Sequence, residues 1–389
     1  FITSTNDIQK QSAKRTPFCK YGGSLRDTPA SHAFAAAAKD AMQTANIDPS
    51  LIDSTIVGNI NFLSQCDGGK TPRYCGIYSG VNIDKPALGV NRACASGLQA
   101  EILTNAAKMC LTGGTEIMSS LPLLVRNIRF GATLGMRYTI EDHIKTQFLD
   151  TYTGLTLQKI AEDVAKRRGI TRNDVDEFTF NSYLKWKNAQ NSNVFEAEIT
   201  NLETVVNKKH NVIIKDELTH PELNFEDLEA SPTINEGSIV TAYNSAPGDG
   251  AAVILLASEE IVKRHNLKPL ARVSGWSCVG SNPSEGLGAV EAIIKLKNKL
   301  DININDIDIF EINEIFASQT LAMMRELKLD KDKVNISGGS LAIGHPVSAT
   351  GVRMITHIVH QMRSRKLRTA IAASSCGDGQ GVAIMFESI

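Results

Sequence analysis

Several things are missing from this 389-residue chain, and each absence excludes a class of protein. Charge of one sign is not in excess. The 41 Lys and Arg stand against 42 Asp and Glu, so the balance gives no reason to expect nucleic acid or an anionic membrane as partner. Long apolar runs are absent as well. The longest stretch without a charged residue, 334–352, holds four glycines, a proline and a histidine, so it reads as a loop-rich turn and not a membrane span. The seven cysteines (Cys19, Cys66, Cys75, Cys94, Cys110, Cys278, Cys376) are odd in number and no two form a CxxC. That excludes a zinc-ribbon pattern and argues against a disulfide scaffold, so a reducing compartment fits best. No Walker loop and no GxGxxG after a strand occurs, which leaves no nucleotide cofactor to expect. His357 and His360, at i and i+3, read as a helix face, so no metal is expected. The start of the chain sets Lys10, Lys14 and Arg15 against Asp7 without an apolar core. It predicts no secretory signal and resembles a mitochondrial presequence only weakly.

What is present describes a globular protein. Hydrophobic residues make up 42% and charged ones 21%, and the length suggests two or three units with a real core. Short apolar runs alternate with helical patterns. Residues 33–45, 98–109 and 351–363 read as helices; 54–62, 307–312, 368–374 and 382–386 read as strands. That alternation predicts an α/β layered fold. Residues 117–246 are more charged and loop-rich, with helices expected over 158–168 and 173–191, and look like an insertion. A faint repeat relates Ile47, Ile52 and Asp53 to Ile302, Ile307 and Asp308. With a one-residue slip, Asn59 and Phe62 then match Asn313 and Phe316. Both segments precede a Gly-rich turn into a helix, as a duplication would.

Four residues stand out chemically, each with two readings. Cys94, in "GVNRACASGLQ", precedes a helix whose N-terminal amides and dipole would lower its pKa toward thiolate. It is a nucleophile or a buried structural thiol. His345, in "GGSLAIGHPVSATG", is presented at a sharp glycine turn as a general base, or is a satisfied core histidine. Cys376 enters a glycine turn as a proton carrier or an incidental residue, and the amides of Gly377 and Gly379 offer an oxyanion hole. Asn313, in "FEINEIFASQ", polarises a carbonyl or orients a water, or else caps the following helix. Glu314 beside it braces the site. The other five cysteines lack such turns and read as structural.

Together these segments resemble the thiolase family. The motifs are "NRACASG" (Asn91–Gly97), "NEIFA" (Asn313–Ala317) and "NISGGSLAIGHPVSATG" (Asn335–Gly351), and the resemblance runs from "KRTPFCKYGG" to the C-terminus. "VRNIRFGATLG" and "LKWKNAQNSNVF" are similar to mitochondrial members that act in fatty-acid β-oxidation, which implies the mitochondrial matrix. The resemblance implies duplicated βαβαβαββ halves in a five-layered αβαβα arrangement. Residues 1–116, completed by about 247–270, would form one half and 271–389 the other. A loop domain over 117–246 would bind CoA and build a homodimer or homotetramer. The implied activity is reversible cleavage of 3-ketoacyl-CoA by CoA, with CoA as co-substrate and no cofactor. Cys94 would be acylated, His345 would activate it, and Cys376 would protonate the departing enolate. Asn313 (through a water) and His345 would form one oxyanion hole; the Cys94 amide and the glycine turn would form the other. An acetoacetyl-CoA thiolase and an impaired paralogue that binds acyl-CoA or partners an active enzyme are the alternatives.

The chain also departs from the family pattern. Few residues separate the Cys94 helix from "GGTE", so Met109–Leu111 is left to supply a strand. The glycine turn after Cys376 and the loop 241–249 are each shortened, and a methionine expected near Ser284 is missing. CoA contacts fall on His220 and Leu223, with Asn244 and Ser245 in the shortened loop. The first strand, "NDIQKQS", is polar.

Overall fold

The computed structural model describes residues 8–65, 67–206, 208–234 and 236–389, so Cys66 and the first residues of the polar first strand lie outside the description. The first half runs strand Ile8–Arg15, helix Ala30–Ala45, strand Ser54–Gly58, helix Thr71–Ser79, strand Ala87–Val90, helix Ser96–Ile102, strands Met109–Ile117 and Gly248–Ser258. This is the expected βαβαβαββ order. Ser54–Gly58 is flanked in parallel by Ala87–Val90 and Met109–Ile117, and the remaining pairings are antiparallel. The second half repeats the plan. Ile309–Ile312 lies parallel to Thr369–Cys376, followed by Gln380–Glu387 and Ala271–Gly280 in antiparallel pairings. A parallel bridge from Phe310 to Val334 occupies the place of Ala87–Val90. The halves join where Gln9 and Lys10 pair with Arg272 and Ala271.

Strands buried on both faces are mostly apolar, and buried carboxylates among them, Glu116 and Asp249, are hydrogen-bonded. In Gly248–Ser258, alternate residues Ala251, Val253, Leu255 and Ala257 face the core under helix Ala30–Ala45. Ala252, Ile254 and Leu256 face a central core shared with Leu98, Val352, Ile355 and Val359. Across that central layer, Ala372, Ile384 and Phe386 close the same core from the second half. Ile371, Ala373 and Met385 turn outward to helices Gly288–Leu300 and Ala317–Leu327. The result is five layers, with helices Ser96–Ile102 and Val347–Arg365 in the middle. Those two helices pack backbone to backbone. A Cβ on Gly97 would come 2.5 Å from the Ser348 carbonyl oxygen, and one on Gly351 would come 2.9 Å from Leu98.

The faint repeat has a physical counterpart. Asp53 accepts from the amides of Lys108 and Met109 at 3.1 and 3.0 Å. Asp308 accepts from the amides of Arg368 and Thr369 at 2.7 and 3.0 Å. Each carboxylate fixes where the neighbouring parallel strand begins. The helix expected over 98–109 is therefore too long. It ends at Ile102, passes through a 3-10 turn at Leu103–Ala106, and hands over to a strand that starts at Met109. The strand is complete, buried along all of Met109–Ile117, and the shortening falls on the helix. A lost strand residue would orphan backbone groups between two neighbours, whereas the helix end is at the surface.

Strands Met109–Ile117 and Gly248–Ser258 pair at Ile117–Asp249, so the segment 118–247 leaves and returns at one point. Its described residues form three two-stranded antiparallel sheets and include helices Leu157–Arg167 and Arg172–Asn191. A buried Arg15 ties it to the body, bonding Glu198 at 2.8 Å and both oxygens of Asp216 at 2.6 and 2.9 Å. No helix among the described residues is long and apolar enough to cross a membrane.

Candidate active site

Close packing of the central helices brings their N-terminal turns together. Cys94 leads into Ser96–Ile102 and His345 into Val347–Arg365, and both line one cavity of about 360 Å³. The Cys94 turn is held by its own side chains. Ser96 Oγ accepts from the Arg92 amide at 2.8 Å and donates to the Ala93 carbonyl at 2.7 Å, while Asn91 accepts from the Ala93 amide. Ala93 adopts φ 41°, a left-handed conformation costly for a residue with a Cβ.

The His345 turn is held from the opposite strand. Asn335 donates to the Ile312 carbonyl and accepts from the Ile312 amide, at 2.9 and 2.8 Å. Its amide also donates to Glu314, which accepts from Ser182 as well. Glu314 therefore braces the glycine turn from below. On the imidazole, Nδ1 lies 2.7 Å from Thr350 Oγ1, and the Thr350 hydroxyl donates to the Pro346 carbonyl at 3.0 Å. With that hydroxyl hydrogen committed, Nδ1 carries the proton and Nε2 the lone pair. Asn313 agrees with this tautomer. Its Oδ1 accepts from Ser340 Oγ at 3.1 Å, so its NH₂ group faces His345 Nε2 at 3.5 Å.

Burial dominates the electrostatics. It pushes the Cys94 thiol up to about 12, against the Gly377 amide that favours the thiolate, with Asp378 adding to the rise. Burial, then the nearby Arg353 cation, pushes His345 down to about 3. The expectation of a helix-lowered Cys94 is thus corrected: its helix is only seven residues long, and desolvation of a buried sulfur outweighs its dipole. The resting pair is a neutral thiol and a neutral imidazole. Cys376 is also neutral, raised well above its ordinary value by burial and by Cys94 and Asp378, and its Sγ–H points to the Arg92 carbonyl at 3.3 Å.

Gly377 lines the cavity with its amide toward Cys94. Gly379 does not contribute a free donor, because its amide bonds the Cys376 carbonyl at 3.2 Å in the shortened turn. Ser245 lines the cavity and Asn244 does not. Asn244 instead donates to the Thr241 and Ala242 carbonyls inside its own loop. His220 packs edge-on to Tyr243 at 4.7 Å, away from the cavity lining. Ser284 also lies outside the lining, and Met118 brings a methionine to the wall from another strand end. Thr350 and Ser340 escaped the sequence reading although both sit inside the glycine motif. The apolar wall from Ile60, Ile144, Phe148, Leu149 and Leu157 left no signal beyond scattered apolar residues in a polar segment. Among the described residues, no group of three or more His, Cys, Asp or Glu is placed to hold a metal.

Comparison with known proteins gives a consistent result. Residues 11–260 match the family "Thiolase, N-terminal domain" and residues 267–388 match "Thiolase, C-terminal domain". Human mitochondrial 3-ketoacyl-CoA thiolase is 36% identical over 97% of each chain. A Staphylococcus epidermidis protein named "Probable acetyl-CoA acyltransferase" is 36% identical over 95% of this chain and 96% of its own. The crystal structure of the human mitochondrial enzyme in complex with CoA superposes with a TM-score of 0.94 at 37% identity, covering 99% of this chain and 98% of that one.

Proposed function

Because the chain belongs to the thiolase family, we propose that it is an acyltransferase that cleaves 3-ketoacyl-CoA with CoA through an acyl-Cys94 intermediate. One observation carries the reading: Cys94 and His345 open into the same apolar cavity, with Asn313 against the imidazole. The reaction needs CoA as co-substrate and no further cofactor. His345 Nε2 takes the Cys94 proton as the sulfur attacks the 3-keto carbonyl. The imidazolium so formed is disfavoured by burial except beside the new oxyanion, which ties proton transfer to substrate attack. The C2–C3 bond breaks, and the enolate of acetyl-CoA takes a proton at C2 from Cys376. CoA then gives its thiol proton to the Cys376 thiolate as its sulfur attacks the acyl-Cys94 thioester, and Cys94 leaves and takes back the proton held by His345. Asn313 and His345 stabilise one oxyanion, the amides of Cys94 and Gly377 the other.

The wall of Ile60, Met118, Ile144, Phe148 and Leu157 suits an acyl tail, which supports β-oxidation over acetoacetyl-CoA alone. Relatives of equal identity are mitochondrial and bacterial; we favour the mitochondrial matrix, tested by fractionation of cells expressing the chain. Exposed Phe130 and Leu134 in the insertion support a homodimer or homotetramer, which light scattering reads directly. The central test is incubation with acetoacetyl-CoA or a longer 3-ketoacyl-CoA plus CoA. Loss of the enolate absorbance and an acyl group on Cys94 by mass spectrometry are expected. A folded sample that neither turns over nor acylates overturns the proposal.

A further inference from the structure

The cavity contains a charge that the proposed reaction does not use. Two carboxylates, Asp150 and Asp378, stand in its otherwise neutral lining. Asp150 is consumed locally, accepting from the amides of Tyr152 and Thr153 and from the Thr153 hydroxyl. Asp378 is different. It lies one residue beyond the Gly377 amide that faces Cys94 and two beyond Cys376. Its Oδ2 accepts from Gln380 Nε2 at 2.6 Å, and Gln380 Oε1 in turn accepts from the Arg92 guanidinium. Arg92 is also the residue whose carbonyl receives the Cys376 thiol. A chain of three side chains therefore pins a carboxylate on the Cys376 turn, in the lining of the cavity that Cys94 also faces.

We infer that Asp378 is a positioning residue that acts on the thiols through its charge, adding to their burial in opposing negative charge on Cys94 and Cys376 before substrate arrives. Glu116, buried behind the Cys94 turn, adds to the same effect on Cys94, while Arg92 opposes it at Cys376. His345 lines the same cavity, near the buried Arg353 cation, and presents a neutral imidazole as the base for Cys94. A thiolate formed in advance would react with any electrophile that enters. A thiol that reacts only as His345 takes its proton reacts with a positioned carbonyl. The inference rests on the proposed roles of the two thiols, but its test needs no turnover, so the two fail separately.

The test is alkylation of the full chain by iodoacetamide from pH 7 to 10, with each cysteine quantified by peptide mass spectrometry, in wild type, Asp378→Asn and Asp378→Glu. In Asp378→Asn, Cys94 reacts faster by about three- to tenfold across this range, all of which lies below its midpoint, and Cys376 is accelerated in the same sense. Cys278, whose charged surroundings are Arg92, Lys295 and Lys299, keeps its wild-type rate and serves as the internal reference. Asp378→Glu retains the wild-type profile. The difference between wild type and Asp378→Asn narrows at high salt, because the carboxylate is exposed. Superimposable profiles for Cys94 in wild type and Asp378→Asn overturn the inference. So does equal acceleration of all three cysteines, which would report a loosened fold and not a field.

Discussion

Asp53 and Asp308 do the same work in the two halves, and Asn59 and Asn313 do not. Each aspartate collects two amides at the start of the next parallel strand. Each asparagine follows the equivalent strand, Ser54–Gly58 or Ile309–Ile312. Asn59 then donates to the Thr115 carbonyl and to Glu116, deep in the body. Asn313 faces His345 at the cavity. Neighbouring positions diverged as well. The register ends at Gly58–Gly114 in one half and Ile312–Ala373 in the other, so Thr115 and Glu116 lie beyond it beside Asn59, while Ser374 and Ser375 occupy the matching places beside Asn313. Ala93 precedes Cys94 with φ 41°, where Gly344 precedes His345 with φ 84°. A duplicated frame keeps what sets strand position and frees what faces the cleft between halves.

That contrast can be broken by experiment, and the largest effect should come from the asparagines. Asn313→Ala lowers kcat by about 10²–10³-fold, as loss of a preorganised donor does, beside a stability loss of about 1–3 kcal/mol because Ser340 and Ser374 lose a buried partner. Asn59→Ala leaves kcat within a few-fold and lowers stability by about 1–3 kcal/mol, since Glu116 and a buried carbonyl lose their donor. Equal kcat losses would show that both asparagines serve the chemistry.

Next comes Glu116, whose counterpart is a serine. It accepts from Asn59, Ser348 and the amides of Ile60 and Asn61, yet burial pushes it up to about 7. A folded value above the unfolded one means that the fold favours the protonated form. Its contribution is full below about pH 4 and is lost as pH rises to about 7, on the order of 3 kcal/mol. Chemical unfolding from pH 4 to 7 should show this decline in wild type and a flatter curve in Glu116→Gln. Matching slopes would remove Glu116 from the account.

Smaller and symmetric effects belong to the aspartates. Asp53→Ala and Asp308→Ala should each cost about 2 kcal/mol, because two strand-start amides lose a charged acceptor. Unequal costs in denaturant titrations would mean that one half no longer depends on the shared device. Smallest of all, Ala93→Gly should add up to about 1 kcal/mol by relieving the left-handed Cβ, read as a rise in Tm. A fall in Tm would place the entropic cost of glycine above the strain.

Much of the fold was legible in the residues. Doubly buried strands announce themselves as unbroken apolar runs, so 369–376 and 380–387 were found within two residues. The Cys94 helix was overrun to Met109 because nothing local marks a strand start that is fixed by Asp53, some fifty residues earlier. Among the candidates, Cys94, His345, Asn313 and Cys376 could be singled out because sharp turns need glycine and small residues, and the fold brings Cys94 and His345 to one cavity with Asn313 against the imidazole. Asn244, His220 and Gly379 lie outside the cavity lining, with side chains or amides bonded or packed to neighbours that only the folded loops bring near. Thr350 could have been found, since a hydroxyl five residues beyond His345 lies one helical turn away.

The sequence by itself determined the α/β layering and the duplicated frame and singled out Cys94, His345, Cys376 and Asn313 as candidates, since periodicity and turn chemistry are local properties. The tertiary structure decided their protonation. Whether a helix start or desolvation controls Cys94 depends on how much water the five layers exclude, and which nitrogen of His345 holds the proton depends on where Thr350 sends its own. Those are long-range or orientational quantities, and no window of residues contains them.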